Sequence, residues 1–561
     1  MQDMIYAATE GGTVTISSGI FDETLTVDRN LTLRGVSPAE TILQPGAAGQ
    51  RVITVSAGHD LTLENLTVTN GQAPSMDPVG GGVYLAAGSL TLLNVHITGN
   101  VADYGGGVFQ EGATGRVEAI DSLIQGNRAG IHGGGMYVRG STSLTRTQVI
   151  TNAAGSHGGG LHIAAGSAVI TGGNFSGNQA NTGNGGGLNL DNQLTVSGTQ
   201  FQDNTAGDSG GAITQWNAGY TIVISGASFN NNSSKSKGGA AFIQSPLTLT
   251  DAHFNGNVTD SGGAGNAYGG GLYTASPATV TGCTFTGNQA KCLACSVTGG
   301  GGLSIALGAG DLSVSTVTGC TFEANYGWFG GGLSASYGTL NISRSVFKNN
   351  GGGYGAGLNA TTVNGDHLLF QDNSAVNRGG GLSGSFVTLS TSRFLGNTAI
   401  GGGGIAVANG SASLTNVLLA QNNATAAGGG ALRVENAPAT LTHVTIARPA
   451  RGSGSGINVT AGAALTIKNA ILANYVTAIE ATGGTATEDY NLFYDNGADG
   501  SGTIIAGGHS LTGLGPNLAD PAGNDYHLTA LSPAIGAGND LGVLTDLDDR
   551  PRLGGRFDIG A

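Results

Sequence analysis

The segments "FQDNTAGDSGGAI", residues 201–213, and "FQDNSAVNRGGGL", residues 370–382, are two copies of one motif. Each begins with Phe-x-x-Asn and ends with adjacent glycines followed by an aliphatic residue. Glycine-rich marks of this kind begin near residues 80, 105, 133, 158, 185, 210, 238, 269, 300, 330, 355, 379, 402 and 428. A period of about 25 residues is the signature of a solenoid or a propeller.

The segments between the glycine marks favour a solenoid. Residues after each mark alternate between apolar and polar, as in Leu161-His162-Ile163 and Leu188-Asn189-Leu190, which predicts short strands with one buried face. Three such strands fit within one repeat, whereas a propeller blade needs roughly 40 to 45 residues. We therefore predict an all-β fold, a right-handed parallel β-helix solenoid of roughly 18 to 20 coils, in a single elongated domain with capping ends.

Stacking of the coils assigns a structural role to the repeated residues. Equivalent residues of successive coils lie about 4.8 Å apart, so inward aliphatic and Phe side chains form continuous ladders. We expect the Asn of Phe-x-x-Asn to adopt the left-handed conformation and to bond its copies above and below. The Asn residues covered by this prediction are Asn178, Asn204, Asn232, Asn257, Asn288 and Asn373.

The pattern changes at both ends of the chain. Residues 1–79 alternate less regularly and are interpreted as an N-terminal cap with the first coils. Residues 80–483 carry the regular glycine and Phe-x-x-Asn coils. Residues 484–561 lose the glycine period, become rich in Asp and are interpreted as a C-terminal capping region.

Composition excludes several classes of partner. A net charge of −14 with only 21 Lys and Arg residues argues against nucleic acid. The sequence has no apolar run long enough for membrane insertion. The start, "MQDMIYAATEGGTVTI", lacks the basic stretch and apolar core of a signal peptide, yet the Gly-, Ser-, Thr- and Asn-rich composition favours a secreted or cell-surface protein. We expect a monomer without a cofactor.

The motifs resemble known families. The glycine and Phe-x-x-Asn pair, with "GGAI" at residues 210–213, resembles the repeat of polymorphic outer membrane proteins, and the first coils resemble the pectin-lyase-like superfamily. The ending, "DYHLTALSPAIGAGND" with "TDLDDRPRLGGRFDIGA", resembles the C-terminal region of choice-of-anchor surface proteins. The resemblance implies a β-helix whose relatives include adhesins, passenger domains, polysaccharide lyases and hydrolases.

A row of aromatic residues is the first candidate site. The outward position of the strand after each glycine mark is aromatic or His in several coils, and sugar rings dock on aromatic faces with nearby polar groups. The alternative is stacking between coils beneath a covering loop. The candidate ligand-binding residues are Tyr84, Phe109, Tyr137, His162, Phe242 and Tyr273.

The corner before the glycines offers a catalytic alternative. "GIHGGG" and "GSHGGG" place His132 and His157 in adjacent coils, close to Tyr104 and Tyr137. A polysaccharide lyase needs a group that neutralises the uronate and a base such as His or Tyr that removes the C5 proton. The patch has the right residue types but no Arg or Lys cluster, so exposed corner residues without catalytic function remain the alternative.

Cysteines and acidic residues complete the candidates. Cys283 and Cys320 hold the same position in successive coils and permit a disulfide. Cys292 and Cys295 form a CxxC pair in an inserted loop and are candidates for a second, small disulfide loop; free thiols are the alternative for both pairs. A single CxxC pair argues against a zinc site. The loop "TDLDDRPR" offers calcium ligands, although no EF-hand spacing follows; the alternative is a solvated loop paired with Arg residues. The acidic residues concerned are Asp546, Asp548 and Asp549.

We interpret the sequence as a non-catalytic, secreted or cell-surface structural or adhesive protein whose partner is a polysaccharide or cell-surface glycan. The alternative is a carbohydrate-active enzyme, foremost a lyase that acts on an acidic polysaccharide.

Overall fold

A computed structural model describes residues 1–262, 265–291, 299–425, 428–552 and 557–561. The chain divides into unit 1, Met1–Ser276 with Asn288–Cys295, and unit 2, Pro277–Gly287 with Ser296–Ala561. Each unit is a parallel β-solenoid, and the chain makes about 19 turns in all, which confirms the predicted fold class and coil number. No helix in the described ranges is long and apolar enough to cross a membrane.

Each regular coil contains four strands, one more than the sequence predicts. Row A follows the glycine mark, rows B and C follow in order, and the Phe of Phe-x-x-Asn lies in row C. Row D is a short strand between the ladder Asn and the next glycine mark, and it forms separate parallel sheets in the two units. Its brevity, often two residues, leaves no alternation from which the sequence could predict it.

Unit 1 begins with the α-helix Gln2–Ala7. Its row A strands are Leu25–Val27, Ile53–Val55, Val83–Leu85, Val108–Gln110, Met136–Val138, Leu161–Ile163, Leu188–Leu190, Ile213–Gln215, Ala241–Ile243 and Leu272–Thr274. Row B comprises Gly12–Thr15, Leu31–Arg34, Leu61–Thr69, Leu90–Thr98, Arg116–Ile120, Ser141–Thr145, Ala168–Thr171, Leu194–Ser197, Ile222–Ser225 and Leu247–Thr250; Leu61–Thr69 and Leu90–Thr98 continue into row C. The other row C strands are Gly19–Asp22, Thr41–Gln44, Leu123–Gln125, Gln148–Ile150, Asn174–Ser176, Gln200–Gln202, Ser228–Asn230 and His253–Asn255. Row D comprises Val101–Tyr104, Arg128–His132, Ala153–Ala154, Gln179–Ala180, Thr205–Ala206, Ser233–Ser234, Val258–Asp260 and Gln289–Lys291.

Unit 2 contains longer strands that run through several rows. Rows A and B share Leu358–Asp366, Thr477–Asp489 and Ala498–Ala506, and rows A to C share Leu382–Leu395 and Ile405–Ala420. The remaining row A strands are Leu303–Ala306, Leu333–Ser336, Leu432–Glu435 and Ser455–Thr460. Row B comprises Ala278–Thr281, Val314–Thr318, Thr339–Ser343, Ala464–Lys468 and Pro438–Ala447, which continues into row C. The other row C strands are Thr284–Thr286, Thr321–Glu323, Val346–Lys348, Leu369–Gln371, Ile471–Ala473, Leu492–Tyr494 and Leu511–Thr512, and row D comprises Gly351–Tyr354, Ser374–Arg378, Thr398–Ala399 and Asn423–Ala424. A hairpin of Leu518–Asp520 and Asp525–Leu528 encloses the 3₁₀ turn Pro521–Gly523.

The predicted Asn ladder is confirmed and is fully buried. Asn204 donates its backbone N–H and its side-chain Nδ2 to the Oδ1 of Asn232, at 3.0 Å each, and the same Nδ2 donates to the Phe175 carbonyl at 2.8 Å. The left-handed residue of the turn is the one before the Asn, for example Asp203 with φ 54°, so the prediction for the Asn itself was wrong. The Asn ladder therefore satisfies buried backbone groups at the turn in every regular coil.

The two ends of the chain pack against the coils in different ways. At the start, the helix buries Ile5 completely, and the Met1 ammonium pairs with Glu23 at 2.9 Å. At the other end, residues 518–552 and 557–561 pack along the flank of the coils: Asn416 Nδ2 donates to the Thr545 carbonyl and Asn469 Nδ2 to the Asn539 carbonyl, both at 2.8 Å. The C-terminal segment therefore covers the outer side of several coils, which the interpretation as an end cap did not anticipate.

Candidate functional site

The predicted aromatic residues of unit 1 form a continuous stack on the outer face of row A. Ring centroids of Tyr84 and Phe109 lie 6.0 Å apart, those of Phe109 and Tyr137 5.0 Å, and those of Tyr137 and His162 5.0 Å. Parallel register between successive row A strands produces this spacing, because it places Tyr84, Phe109 and Tyr137 directly above one another. We call these four residues the aromatic strip.

A second layer of side chains covers the strip. Tyr104, His132 and His157, the corner residues before the glycine marks, form this roof: the Tyr104 ring lies 5.7 Å from Tyr137, and the His132 ring lies 5.0 Å from His162. Phe109 is only 6% and Tyr137 only 9% exposed as a result. The two predicted sites are thus one packed cluster, and the faces of the strip rings do not form an open platform for sugars.

Phe242 and Tyr273 are covered in the same manner. Phe242 is 1% exposed, with Trp216 edge-on at 5.2 Å between ring centroids. The Lys237 ammonium lies 5.4 Å from the Phe242 centroid and 5.3 Å from that of Tyr273. Lys237 directly precedes a glycine mark, as the roof residues do. Here the Lys237 ammonium covers the two rings through cation–π contacts, where unit 1 otherwise uses aromatic side chains.

The roof histidines form a hydrogen-bond ladder of their own. His132 Nδ1 accepts the backbone N–H of His157 at 3.2 Å, and His157 Nδ1 accepts that of Asn184 at 3.0 Å. Burial lowers the pKa of His132 to about 4 and that of His162 to about 3, and it lowers the pKa of His157 as well. The imidazoles are therefore neutral at pH 7, and the accepting nitrogens of His132 and His157 are occupied, so neither residue is suited to remove a C5 proton.

The acidic loop contributes to packing in the structure. Asp548 pairs with Arg393 and His527, each at 2.5 Å, and Asp549 pairs with His367 at 2.7 Å. Asp546 Oδ1 accepts the backbone N–H groups of residues 548 and 550, at 2.9 Å each. Asp548 and Asp549 thus hold the C-terminal segment against the coils, whereas Asp546 bonds within its own loop. Calcium binding by this loop stays a prediction.

Cys283 and Cys320 stack in successive coils of unit 2, as predicted. They are present as buried thiols and not as the candidate disulfide, and the Cys283 backbone N–H lies 3.4 Å from the Cys320 sulfur. The pKa of Cys320 is lowered, chiefly by the hydrogen bond from the Cys283 thiol. Cys292 and Cys295 lie outside the described residues.

Unit 2 contains a cleft on the outer face of row A that the sequence analysis missed. Its volume is about 250 Å³. The cleft lies where the outward row A residues are small: Asn359 and Ser383 stand in register, followed by Ala406 in the next coil. We call it the row A cleft; its polar and charged lining residues are Tyr354, Asn359, Thr361, Arg378, Ser383, Ser385, Asn409, Arg433 and Glu435.

Two guanidinium groups share one carboxylate at the edge of the cleft. Glu435 Oε2 accepts Arg378 Nη1 at 2.7 Å and Arg433 Nη2 at 3.2 Å. Arg433 lies beside Gly401, where a Cβ atom would approach Arg433 Cδ to 3.1 Å. The three side chains are 22–38% exposed, so this group carries an accessible net positive charge.

Exposed aromatic rings lie near the cleft. Tyr354 lines it and stacks on Phe329 with 5.3 Å between ring centroids. Phe386 directly follows the lining residue Ser385 and is 48% exposed, as is Tyr337. The sequence signal for this cleft is the run of small outward residues from Asn359 to Ala406 followed by Arg433, which contrasts with the large outward residues of the same row in unit 1.

Comparisons with known proteins give weak similarity. No family model matches the chain, and neither does any curated protein. The catalytic unit of a GH87 α-1,3-glucanase from Streptomyces thermodiastaticus matches at 14% identity and a TM-score of 0.17; the match covers 91% of this chain and 64% of that one. The A-modules of the mannuronan C-5 epimerases AlgE6 and AlgE4 from Azotobacter vinelandii match at 10% and 12% identity, with TM-scores of 0.13 and 0.12; these matches cover 92% of this chain and 93% and 91% of theirs. At such scores the similarity transfers no residue role to this chain.

Proposed function

We propose that this protein is a non-catalytic, secreted or cell-surface β-solenoid that binds an acidic glycan in the row A cleft. The observation that carries the proposal is the pair of guanidinium groups, Arg378 and Arg433, which share the single carboxylate of Glu435. In a chain with a net charge of −14, an accessible cationic group beside a polar cleft is unusual and favours an anionic ligand at this place.

The geometry suits a sugar carboxylate. Arg binds carboxylates through two parallel N–H donors, and such charge-assisted bonds are roughly twice as strong as neutral ones. Because Arg378 and Arg433 share the one carboxylate of Glu435, the pair can bind a second carboxylate, which the ligand supplies. Asn359 and Ser383, which line the cleft, offer hydrogen bonds to the sugar hydroxyl groups. The cleft is smaller than the roughly 300–1,000 Å³ of common ligand pockets, so it suits one or two sugar rings of a longer chain.

The acidic residues of the cleft favour binding over hydrolysis. A glycosidase uses two carboxyl groups roughly 5 to 10 Å apart. Within the described residues that line the cleft, Glu435 is the single acidic side chain, and it is held by two Arg residues. The described cleft lining therefore lacks the second carboxyl group that hydrolysis of a glycosidic bond requires.

A lyase remains the competing function, at a different place from the one that the sequence indicated. Tyr354 lines the same cleft as Arg378 and Arg433, so a cationic group for the uronate and a phenol that can act as base lie together. The roof histidines His132 and His157 do not support this chemistry, for the reasons given above.

The two functions separate in one experiment. Calorimetric titration of the full chain with saturated oligouronates and with neutral oligosaccharides of equal length is expected to show binding of the acidic series only. The Arg433→Ala variant is expected to bind at least tenfold more weakly, since a hydrogen bond to a charged group contributes about 1.5–3 kcal/mol. The matched control is Arg344→Gln, which removes an exposed Arg outside the cleft-lining residues and leaves binding unchanged.

Ultraviolet absorbance of the same mixtures reports cleavage, because a lyase product contains a new double bond. Release of unsaturated product that the Tyr354→Phe variant abolishes would replace the binding function with the lyase. Equal affinity of wild type and Arg433→Ala for every glycan would refute the cleft as the site.

A further inference from the structure

The last coil of unit 2 is uncovered. Its strand Ala498–Ala506 is exposed at eight of nine positions, whereas Ile479 and Ala486 in the preceding coil are fully buried. The inward-facing Ile504 and Leu511 of this coil are only partly buried. The core is therefore open to solvent at this end, because the C-terminal segment packs along the flank.

The open coil presents an unprotected strand edge. Among the described residues, Ala498–Ala506 pairs with one strand, Thr477–Asp489, so its other edge is available for backbone hydrogen bonds. Natural edge strands are usually protected by Lys, Pro, a bulge or a covering segment. The sequence "ADGSGTIIA" contains neither Lys nor Pro, and Asp499 is its single charged residue.

The strand is symmetric about one corner. Gly502, with φ 80°, lies where the strand turns from row A into row B, and a Cβ atom there would approach the Ala481 carbonyl oxygen to 2.2 Å. Four residues precede it, 498–501, and four follow it, 503–506. A twofold axis through this corner, perpendicular to the coil stack, exchanges row A of one copy with row B of the other.

We propose that two copies of this chain associate through this edge, with the Ala498–Ala506 strands antiparallel across a twofold axis at Gly502. The first coils are closed by the helix Gln2–Ala7, with Ile5 fully buried, so stacking of the open coil onto the first coil of another copy is blocked. Association of the two open ends is the arrangement that remains, and a closed isologous dimer results.

The residues placed opposite each other are compatible. In this register Asp499 of one copy lies opposite Ile505 of the other, so the two carboxylates do not meet. Ser501 lies opposite Thr503, and Gly500 lies opposite Ile504, which pairs the smallest residue with a bulky one. The antiparallel pairing also places the partly exposed Ile504 of each copy in the interface, where its apolar surface is removed from water. This proposal is independent of the glycan site and revises the expectation of a monomer.

Sedimentation equilibrium of the full chain provides the first test. We expect a species of twice the 55.3 kDa chain mass across the micromolar range. Thr503→Lys is expected to abolish the dimer by placing a charge on the edge strand. Thr248→Lys, the same substitution at an exposed row B position of unit 1, is expected to leave the dimer intact.

Cysteine cross-linking tests the register. Ser501→Cys and Thr503→Cys are prepared as separate proteins and oxidised alone or as a mixture. The twofold arrangement predicts a covalent dimer in the mixture that exceeds either single variant, because position 501 faces position 503 and not itself. A wild-type chain that sediments as a monomer throughout, or a dimer that Thr503→Lys leaves unchanged, would overturn the proposal.

Discussion

The outer face of row A is built differently in the two units. In unit 1 its outward positions hold large rings, such as Phe109 and Tyr137, and the corner residues Tyr104 and His132 fold over them. In unit 2 the same positions hold Asn359, Ser383 and Ala406, and a cleft of about 250 Å³ remains.

The difference indicates that side-chain size on one row decides whether a second layer packs over the face or a cleft remains. Large outward rings recruit a second layer and become part of the core, since burial of an aromatic side chain contributes about 1.5–3 kcal/mol. Small outward residues offer no surface on which corner side chains could pack as a second layer. The charged side chains at the edge of the row A cleft therefore stay accessible. The candidate ligand site therefore lies where the outward row A positions hold no aromatic residues.

The largest expected effect concerns the covered face of unit 1. Phe242→Ala removes a ring that is 1% exposed and leaves a cavity beneath Trp216 and Lys237, so we expect a loss of about 3–5 kcal/mol in unfolding free energy. Ser383→Ala in unit 2 is expected to change it by less than about 0.5 kcal/mol. Urea unfolding midpoints followed by circular dichroism measure both; equal small shifts would contradict the packed-layer account.

Filling the cleft converts the unit 2 face toward that of unit 1. Ser383→Phe places a ring on the floor between Asn359 and Ala406, in register with both. We expect at least tenfold weaker binding of an acidic oligosaccharide with a nearly unchanged unfolding midpoint, because the position is outward-facing. Thr466→Phe, at an exposed row B position of unit 2 outside the cleft lining, is the control and should leave binding intact. Full affinity in Ser383→Phe would show that the ligand binds elsewhere.

Acidity is expected to affect the two units in opposite directions. In unit 1 the folded pKa values of His132, about 4, and His162, about 3, lie below the ordinary 6.5. As the pH falls from about 6.5 toward 4, the unfolded chain binds protons that the folded cluster does not, and stability falls. In unit 2 the hydrogen bonds that His367 and His527 donate to Asp549 and Asp548 raise the pKa values of the two imidazoles. Their contribution to stability is therefore present below about pH 6.5 and is lost as the pH rises through the raised values.

Hydrogen exchange at several pH values, corrected for its intrinsic pH dependence, measures both responses. Peptides spanning residues 104–162 are expected to lose protection on acidification, and those spanning residues 518–552 on alkalinisation. His443 of unit 2 contacts the backbone carbonyl of Asp558, and burial lowers its pKa to about 4. It therefore lowers stability on acidification, as the histidines of unit 1 do, and the peptide that contains it is followed separately. His367→Gln should reduce the alkaline response; an unchanged response would exclude His367 as its source.

The smallest effect is expected at the margin of the aromatic strip. Tyr84→Phe removes a hydroxyl that donates to Glu111 at 2.7 Å in a partly exposed position. We expect a loss of no more than about 1 kcal/mol and no change in glycan affinity. A clear loss of glycan affinity in this variant would indicate that the aromatic strip, and not the row A cleft, binds the ligand.

The sequence predicts those features that depend on period and polarity. Buried ladder residues such as Asn204 follow from the repeat, because stacking admits few alternatives for a polar residue at a buried turn. The roof over Tyr137 depends on how corner side chains fold back over a neighbouring row, and the alternating pattern carries no signal for this. The flank position of residues 518–552 depends on contacts between residues far apart in the sequence, which the repeat does not encode either. The row A cleft escaped prediction because its signal is the absence of large residues between Asn359 and Ala406.

The most direct test of the central claim is the footprint of a bound acidic oligosaccharide by hydrogen exchange. The account predicts added protection in peptides that contain Arg378 to Ser385 and Arg433 to Glu435, and none in peptides that contain Tyr104 to His162. Protection centred on Tyr104 to His162, with none around Arg433, would contradict it.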